Sequence, residues 1–344
     1  MKRLLLALVI LVTFGYAWWR LDEVPLLVIG QPSSTGIMQQ EREAPFFEGL
    51  RQSSGVPLKI SYKALEQVGF KDTYQLQMLK EGQFDLVSLR FPQNSEAEPG
   101  LYGMDMVGLS PDYATARKVA QAYSATVDAY LQERFNSKLL GVWSFGPQEF
   151  FCTKPVRRLA DLRGLRVRVA NLQLSRFVGE LGGTPVIISF DETKNALAIG
   201  LIDCAVTSAA SANYAGWPEH ARYSFPLAVH FGLNGYAISL RKWNALSKRQ
   251  QVALQQAFDR YIDDLWKFSL EVRDDAARCN VGGNCKYGKT YHMDVTEPSP
   301  QDVQQLRDIT INKLLPEWGA ICAKVHPNCV SEWQAQLAVL LHSP

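Results

Sequence analysis

The residue of this chain best placed to do chemistry is an arginine near the end of a short β-branched run. Residues 165–169 read LRVRV, and Arg168 sits near the carboxyl end of the strand this run predicts. A charged side chain there points at the crevice in which open α/β sheets bind ligands. A guanidinium is a planar fork that matches a carboxylate bidentately. Arg168 therefore offers a cation to an anionic small molecule, and a strand-end structural salt bridge is the competing explanation. Arg166 is read as lying on the opposite face of the strand and is expected to be solvated.

Other polar groups fall at predicted turns beside the same crevice. Ser33, Ser34 and Thr35 occupy the first strand-to-helix turn, where hydroxyls and backbone N–H groups face a ligand. Asn234 lies in a Gly-rich crossover and reads as a hinge turn or a ligand donor. Trp217 follows a run of small residues, as a pocket wall or an interface residue. Trp143, Phe145, Phe190 and Trp217 leave room for an aromatic or branched acid.

Reactive constellations are missing. The chain has no G-x-S-x-G elbow, no Walker A loop and no G-x-G-x-x-G fingerprint. Its five histidines, His220, His230, His292, His326 and His342, form no ligand pair at helical spacing. No carboxylate pair sits in an apolar setting suited to acid/base work. The expectation is a binding protein with no metal, no cofactor and no catalytic residue.

Two successive β-α-β-α-β patterns must position these groups. In the first half, strands are predicted at Leu26–Gly30, Val56–Tyr62 and Phe84–Leu89, with helices around Gln39–Gln52 and Thr73–Lys80. In the second, strands are predicted at Leu165–Val169, Thr184–Ser189 and Leu201–Val206, with a helix opened by Phe190 and Asp191 and closed by Gly200. This punctuation favours parallel sheets with helical crossovers. Between the halves, Gly108 to Gln132 reads as mostly helical with Asp112 as N-cap, and Leu139–Ser144 as a connecting strand. Two β runs, Tyr223–Val229 and Tyr236–Leu240, come later. Ser247 with Gln250 forms a capping-box signature that opens a helix running to about Ala277. At 1.5 Å per residue that helix is about 45 Å long and is expected to lie across both halves. No flexible tether joins the halves. The expected fold is α/β, a two-lobed clamshell like the periplasmic binding proteins, with hinge strands and a long helix spanning both lobes. Residues 23–144 plus about 232–272 form lobe I. Residues 145–231 plus about 273–344 form lobe II, with a tail of shorter helices from Ser299 to Leu341.

The wording of several segments also resembles a known family. KPVRRLADLRGLRVRV, GGTPV followed by ALAIGLID, and LNGYAISLRKWNALS are similar to the solute-binding subunits of tripartite ATP-independent periplasmic (TRAP) transporters. Weaker similarity runs through STGIMQQEREAPFFEGL and YQLQMLKEGQFDLVS, so the resemblance covers roughly Leu26 to Leu254. It implies an extracytoplasmic receptor that binds an organic acid and docks on membrane permease subunits. It implies that Arg168, the second basic residue of the GLRVRV strand, holds the substrate carboxylate. Gln148 stands where many sialic-acid-binding relatives carry a second arginine, which argues against a sialic acid ligand. Phe190 matches an aromatic that packs on ligand in relatives. Thr207 and Ser208 stand where relatives often carry a ligand-binding asparagine. The other readings are a receptor feeding an ATP-driven importer, a membrane-anchored sensor and a secreted α/β enzyme. The long helix argues against the first of these.

Composition sets the class and compartment. The 344 residues are 47% hydrophobic and 20% charged, as in folded globular chains. A formal net charge of +2, without a basic stripe, gives no footprint for nucleic acid. Lys2, Arg3 and the apolar run Leu4–Trp19 have the form of a secretory leader, too short for a comfortable span of about 20 residues. Bulky Trp18 and Trp19 follow the small Gly15 and Ala17, so residues 1–22 read as a signal peptide or an uncleaved anchor, and the protein as periplasmic. Six cysteines in an exported chain point to disulfides. Cys279 and Cys285 bracket a Gly/Asn-rich loop, and Cys322 and Cys329 bracket a short loop containing Pro327. Both pairs read as local staples, because their spacings are wider than the usual zinc-site gap. Cys152 and Cys204 end two predicted strands; a third disulfide and two buried thiols both fit.

Overall fold

The computed structural model describes residues 23–341, and the expected leader or anchor lies outside them. Eleven strands are described: β1 (Val24–Ile29), β2 (Leu58–Lys63), β3 (Leu86–Arg90), β4 (Ser137–Ser144), β5 (Gln148–Cys152), β6 (Arg166–Val169), β7 (Thr184–Ile187), β8 (Cys204–Ser208), β9 (Tyr223–His230), β10 (Leu233–Ser239) and β11 (Asp294–Val295). They form two sheets, ordered β2-β1-β3-β10-β4 and β11-β9-β5-β8-β6-β7. β1, β2 and β3 are parallel, as are β6, β7 and β8. These are the β-α-β segments of the sequence.

Two strand pairs carry the chain between the sheets. β4 belongs to the first and β5 to the second; β9 belongs to the second and β10 to the first. The connections, around Ser144–Gln148 and His230–Leu233, run side by side. The Phe145 amide donates to the Gly232 carbonyl at 3.2 Å, and the Ser144 hydroxyl to the Phe231 carbonyl at 2.5 Å. Asp105 fastens the second crossover. Its carboxylate accepts from the Phe231 and Leu233 amides at 2.9 and 2.8 Å and lies 2.9 Å from Nδ1 of His230. Gly232 is required there. Its φ is +56°, and a Cβ would stand 2.8 Å from the Gln148 amide nitrogen, a conformation and a contact that only glycine tolerates.

The third connection is the helix Lys248–Asn280, opened by the Ser247–Gln250 capping box. Trp266 in its middle donates to the Val142 carbonyl of β4 at 2.8 Å. Its last residue, Asn280, accepts from Asn213 at 2.7 Å, beside β8. One rigid element of 33 residues thus packs on both lobes. Asp112 caps the helix Tyr113–Phe135 by accepting from the Thr115 amide at 2.7 Å.

Each sheet has its own apolar core. Val28, Leu86, Leu89, Phe47 and Tyr236 lie in the first, and Phe150, Val167, Val169, Phe177 and Val206 in the second. The tail departs from the division made from sequence. Leu306 and Leu314 join the second core, but Trp318, Cys322, Cys329, Trp333 and Leu337 join the first. The indole N–H groups fix this return: Trp318 donates to the Pro99 carbonyl at 2.9 Å and Trp333 to the Gly103 carbonyl at 2.7 Å. A buried indole is stabilised by an acceptor, and the chain near Pro99 supplies two.

All three cysteine pairs are bonded: Cys279–Cys285, Cys322–Cys329 and Cys152–Cys204. Cys152 and Cys204 are directly opposite each other on antiparallel β5 and β8, with Cα atoms 4.0 Å apart. Among the described residues, no helix is long and apolar enough to cross a membrane.

Candidate ligand-binding site

The carboxyl ends of β3, β6 and β8 open onto one cleft of about 970 Å³ between the sheets. Arg168 stands on its wall and is 4% exposed. Its Nε donates to the Ile188 carbonyl at 3.1 Å and one terminal nitrogen to the Val206 carbonyl at 3.2 Å. Behind it the Trp217 ring lies 5.9 Å from the guanidinium carbon, within cation–π range. Two backbone carbonyls and one ring therefore aim the fork. Among the described residues no carboxylate forms an ion pair with it. Burial, and then the like charge of Arg90, lower its pKa to about 10, so it stays cationic at neutral pH.

Gln148, Phe190, Thr207, Ser34 and Asn234 also line the cleft. Gln148 spends its amide nitrogen on the Gly146 carbonyl at 2.9 Å, and Asn234 spends its own on the Gly232 carbonyl at 2.8 Å. Each amide nitrogen carries a second N–H, so one donor and the carbonyl oxygen of each side chain remain for a ligand. Phe190 packs on Trp217 with ring centroids 5.1 Å apart.

Five sequence expectations change place. Trp217 does not wall the cleft: it is fully buried behind Phe190 and Arg168, as their support. Ser208 is turned inward, 1% exposed, because its hydroxyl caps the helix Ala209–Tyr214 by accepting from the Ser211 amide at 3.2 Å. Thr35 closes its own turn, with its hydroxyl 2.6 Å from the Pro32 carbonyl. Ser33 is likewise occupied, its amide 3.2 Å from the Glu66 carboxylate. Arg166 is neither on the opposite face nor simply solvated: two residues from Arg168, it shares that face at the other end of β6. It grips Asp203 with Nε at 2.9 Å and a terminal nitrogen at 3.1 Å, and Lys154 adds 2.9 Å on the same carboxylate. These bonds, the Arg166 side chain first, hold Asp203 well below the usual carboxylate range.

The cleft also holds residues that sequence reasoning missed. Arg90, Gln93 and His230 line it, beside Phe145, which the sequence had placed near a ligand. Arg90 ends β3 as Arg168 nearly ends β6, so the strand-end rule that singled out one arginine could have found the other in FDLVSLR. His230 gave no such signal, because its position depends on the crossover that Asp105 holds.

A two-sheet α/β protein with an inter-sheet cleft and a buried, unpaired arginine in its wall has the build of a solute receptor. Residues 40–314 match bacterial extracellular solute-binding protein, family 7, and the chain belongs to that family, one of solute-binding receptors rather than of enzymes. A stretch of 179 residues, 52% of this chain, is 24% identical to the sialic acid-binding periplasmic protein SiaP of Vibrio cholerae, and it spans 56% of that relative's length. The fold is similar to that of DctP7 of Bordetella pertussis, an extracytoplasmic solute receptor binding pyroglutamic acid. The TM-score is 0.76 at 17% identity, covering 90% of this chain and 99% of that one. It is similar too to a TRAP periplasmic solute-binding protein from Desulfovibrio desulfuricans with bound sn-glycerol-3-phosphate. There the TM-score is 0.78 at 18% identity, over 93% and 98% of the two chains.

Proposed function

We propose that the protein is a periplasmic receptor that binds an organic acid in the cleft and delivers it to the membrane permease of a TRAP-type secondary transporter. It performs no chemistry on the acid. One observation carries this reading: Arg168 is buried in the cleft wall, aimed by two carbonyls, and left with donors that no protein carboxylate takes. A buried cation without a counter-ion is costly, and a ligand carboxylate is the group that answers it with two parallel N–H···O bonds. The relatives fit. Pyroglutamic acid, bound by DctP7, is a carboxylic acid, and the Desulfovibrio protein holds a phosphate monoester. Gln148 makes sialic acid a poor candidate.

Closure follows from ligand contacts to both lobes. They favour the closed member of an open–closed equilibrium, and the closed form is the one that docks on the permease. A thermal-shift screen over organic acids and their neutral amides tests the reading. An acid at about 100 times its Kd stabilises the native state by about 2.7 kcal/mol and raises the melting temperature, while its amide does not. If amides and sugars shift melting and no acid does, the acid-receptor reading fails.

A further inference from the structure

The mouth of the cleft lies where a hinge motion displaces the walls furthest. In the first sheet β2 is an edge strand, three positions from the nearer crossover strand, β10; in the second β7 is an edge strand, three positions from β5. At strand spacings of about 4.8 Å each edge stands roughly 14 Å from its crossover. Bending at the crossovers therefore moves these edges most. The chain after each edge strand faces the cleft. Phe70 and Lys71 line it from the first lobe, and Ile187, Asp191 and Glu192 from the second.

These side chains are exposed and matched across the mouth. Phe70 is 41% and Ile187 57% exposed, and Phe84 supports Phe70 from behind, with ring centroids 5.9 Å apart. Large apolar side chains left in water gain by meeting each other. The Lys71 side chain is exposed, with no hydrogen bond or ion pair to the described residues. Glu192 commits one carboxylate oxygen to Ser189, whose amide lies at 3.1 Å and hydroxyl at 2.6 Å, and keeps the other. The Ser189 bonds, and then the charge of Lys71, hold the Glu192 carboxyl below its ordinary range, so each lies in the other's field. The remaining charges around the mouth have other partners. Glu66 accepts from the Ser33 amide, Asp72 pairs with Arg90 at 2.9 Å, Lys194 pairs with Glu219 at 2.7 Å, and the field of Asp191 supports the cationic form of Arg168.

We infer that these side chains form a latch: on closure Phe70 packs on Ile187 and Lys71 pairs with Glu192, so that the mouth is held shut by contacts that do not involve the ligand. This rests on the receptor reading and adds the residues that set how long the lobes stay together. The four are positioning residues. They act on a bound acid through the closed form, because only that form brings the two edges into contact.

Cysteine trapping of the full chain without ligand tests it. The native cysteines are all paired, so the only free thiols are the introduced ones. Phe70→Cys with Ile187→Cys forms a disulfide only when the two Cα atoms come within about 7 Å, and under mild oxidation the bond reports closure of the mouth. It should form at least about tenfold faster than in a control that combines Phe70→Cys with Ile199→Cys, whose Cα never comes within about 7 Å of residue 70. Ile199 is exposed at the far end of the helix Phe190–Ala198. In the trapping background Lys71→Gln and Glu192→Gln should each slow the bond about two- to fivefold, the worth of an exposed ion pair. The two together should slow it no more than either alone. Glutamine at 192 keeps the capping box, so an unchanged melting temperature separates loss of the pair from loss of the helix. A rate equal to that of the control overturns the latch and leaves the receptor reading standing, since no acid enters the experiment. Slowing that adds across the two variants, or no slowing, overturns the Lys71–Glu192 pair. The receptor reading fails separately, in the thermal-shift screen.

Discussion

Arg166 and Arg168 are two residues apart on one strand, yet the fold gives them opposite work. Arg168 stands at the cleft end of β6 and keeps free donors; Arg166 opens the strand on the same face and ties β6 to Asp203 before β8. Alternation sends residues two apart to the same side of a strand, so the expectation of opposite faces was wrong; the two arginines differ by the end of β6 they occupy, and Asp203 meets Arg166 only once β6 and β8 pair. Arg166→Ala should therefore lower stability and spare ligand affinity, read by denaturant unfolding beside titration. The pH dependence has two opposite arms. Asp203 has a depressed pKa, so the unfolded chain binds more protons. Its contribution is present above the ordinary carboxylate pKa and is lost as pH falls through the folded value. Glu149 on β5 is the reverse case. It is 7% exposed, and burial raises its pKa to about 7, against a partial offset from Arg273. The folded chain then holds the extra proton between pH 4.5 and 7, so stability declines as pH rises through that window and the loss is complete above it. Glu149→Gln should raise the melting temperature at pH 8 and leave it nearly unchanged at pH 4. A melting temperature at pH 8 equal to or below that of the wild type would contradict the burial account.

Elements were legible where local chemistry defines them. The capping box at Ser247 and the Asp112 cap opened helices where the sequence placed them. Strand edges were less so: β8 runs Cys204–Ser208 rather than Leu201–Val206, because Leu201 is half-exposed in the turn after Gly200 and pairing starts only at Cys204. The disulfides divide by what they join. Cys279–Cys285 and Cys322–Cys329 close separations of 6 and 7 residues, but Cys152–Cys204 closes 52 and staples β5 to β8, two strands of the cleft wall. In the chain-entropy model such a long loop is worth about 4 kcal/mol and a short one about 2.4 kcal/mol. Replacing Cys152 and Cys204 together with alanine should thus destabilise the chain more than replacing Cys279 and Cys285, measured by urea unfolding of the oxidised proteins. The reverse order would show that the staple across the sheet adds nothing beyond the strand pairing. The sequence left Cys152 and Cys204 open, since strand order decides whether they meet.

At the scale of the whole molecule, the two lobes share three connections: the crossovers at Ser144–Gln148 and His230–Leu233, and the helix Lys248–Asn280. The helix was legible from its length alone. The return of Trp318 and Trp333 to the first core was not, because nothing local marks which lobe a tail helix will cover. Such a frame can bend at the crossovers while each sheet stays intact. Saturating ligand should reduce the radius of gyration in small-angle scattering, and identical curves with and without a bound acid would mean a rigid pocket. The central claim is that Arg168 holds the carboxylate of an organic acid, and calorimetric titration of Arg168→Ala and Arg168→Lys with the tightest-binding acid of the panel tests it most directly. Leaving a desolvated carboxylate without its partner costs about 2–5 kcal/mol, so Arg168→Ala should bind about 30-fold to several thousandfold more weakly. Arg168→Lys should also bind poorly, since an ammonium lacks the fork. Folded variants that bind the acid as the wild type does would place the carboxylate elsewhere in the cleft and contradict the account.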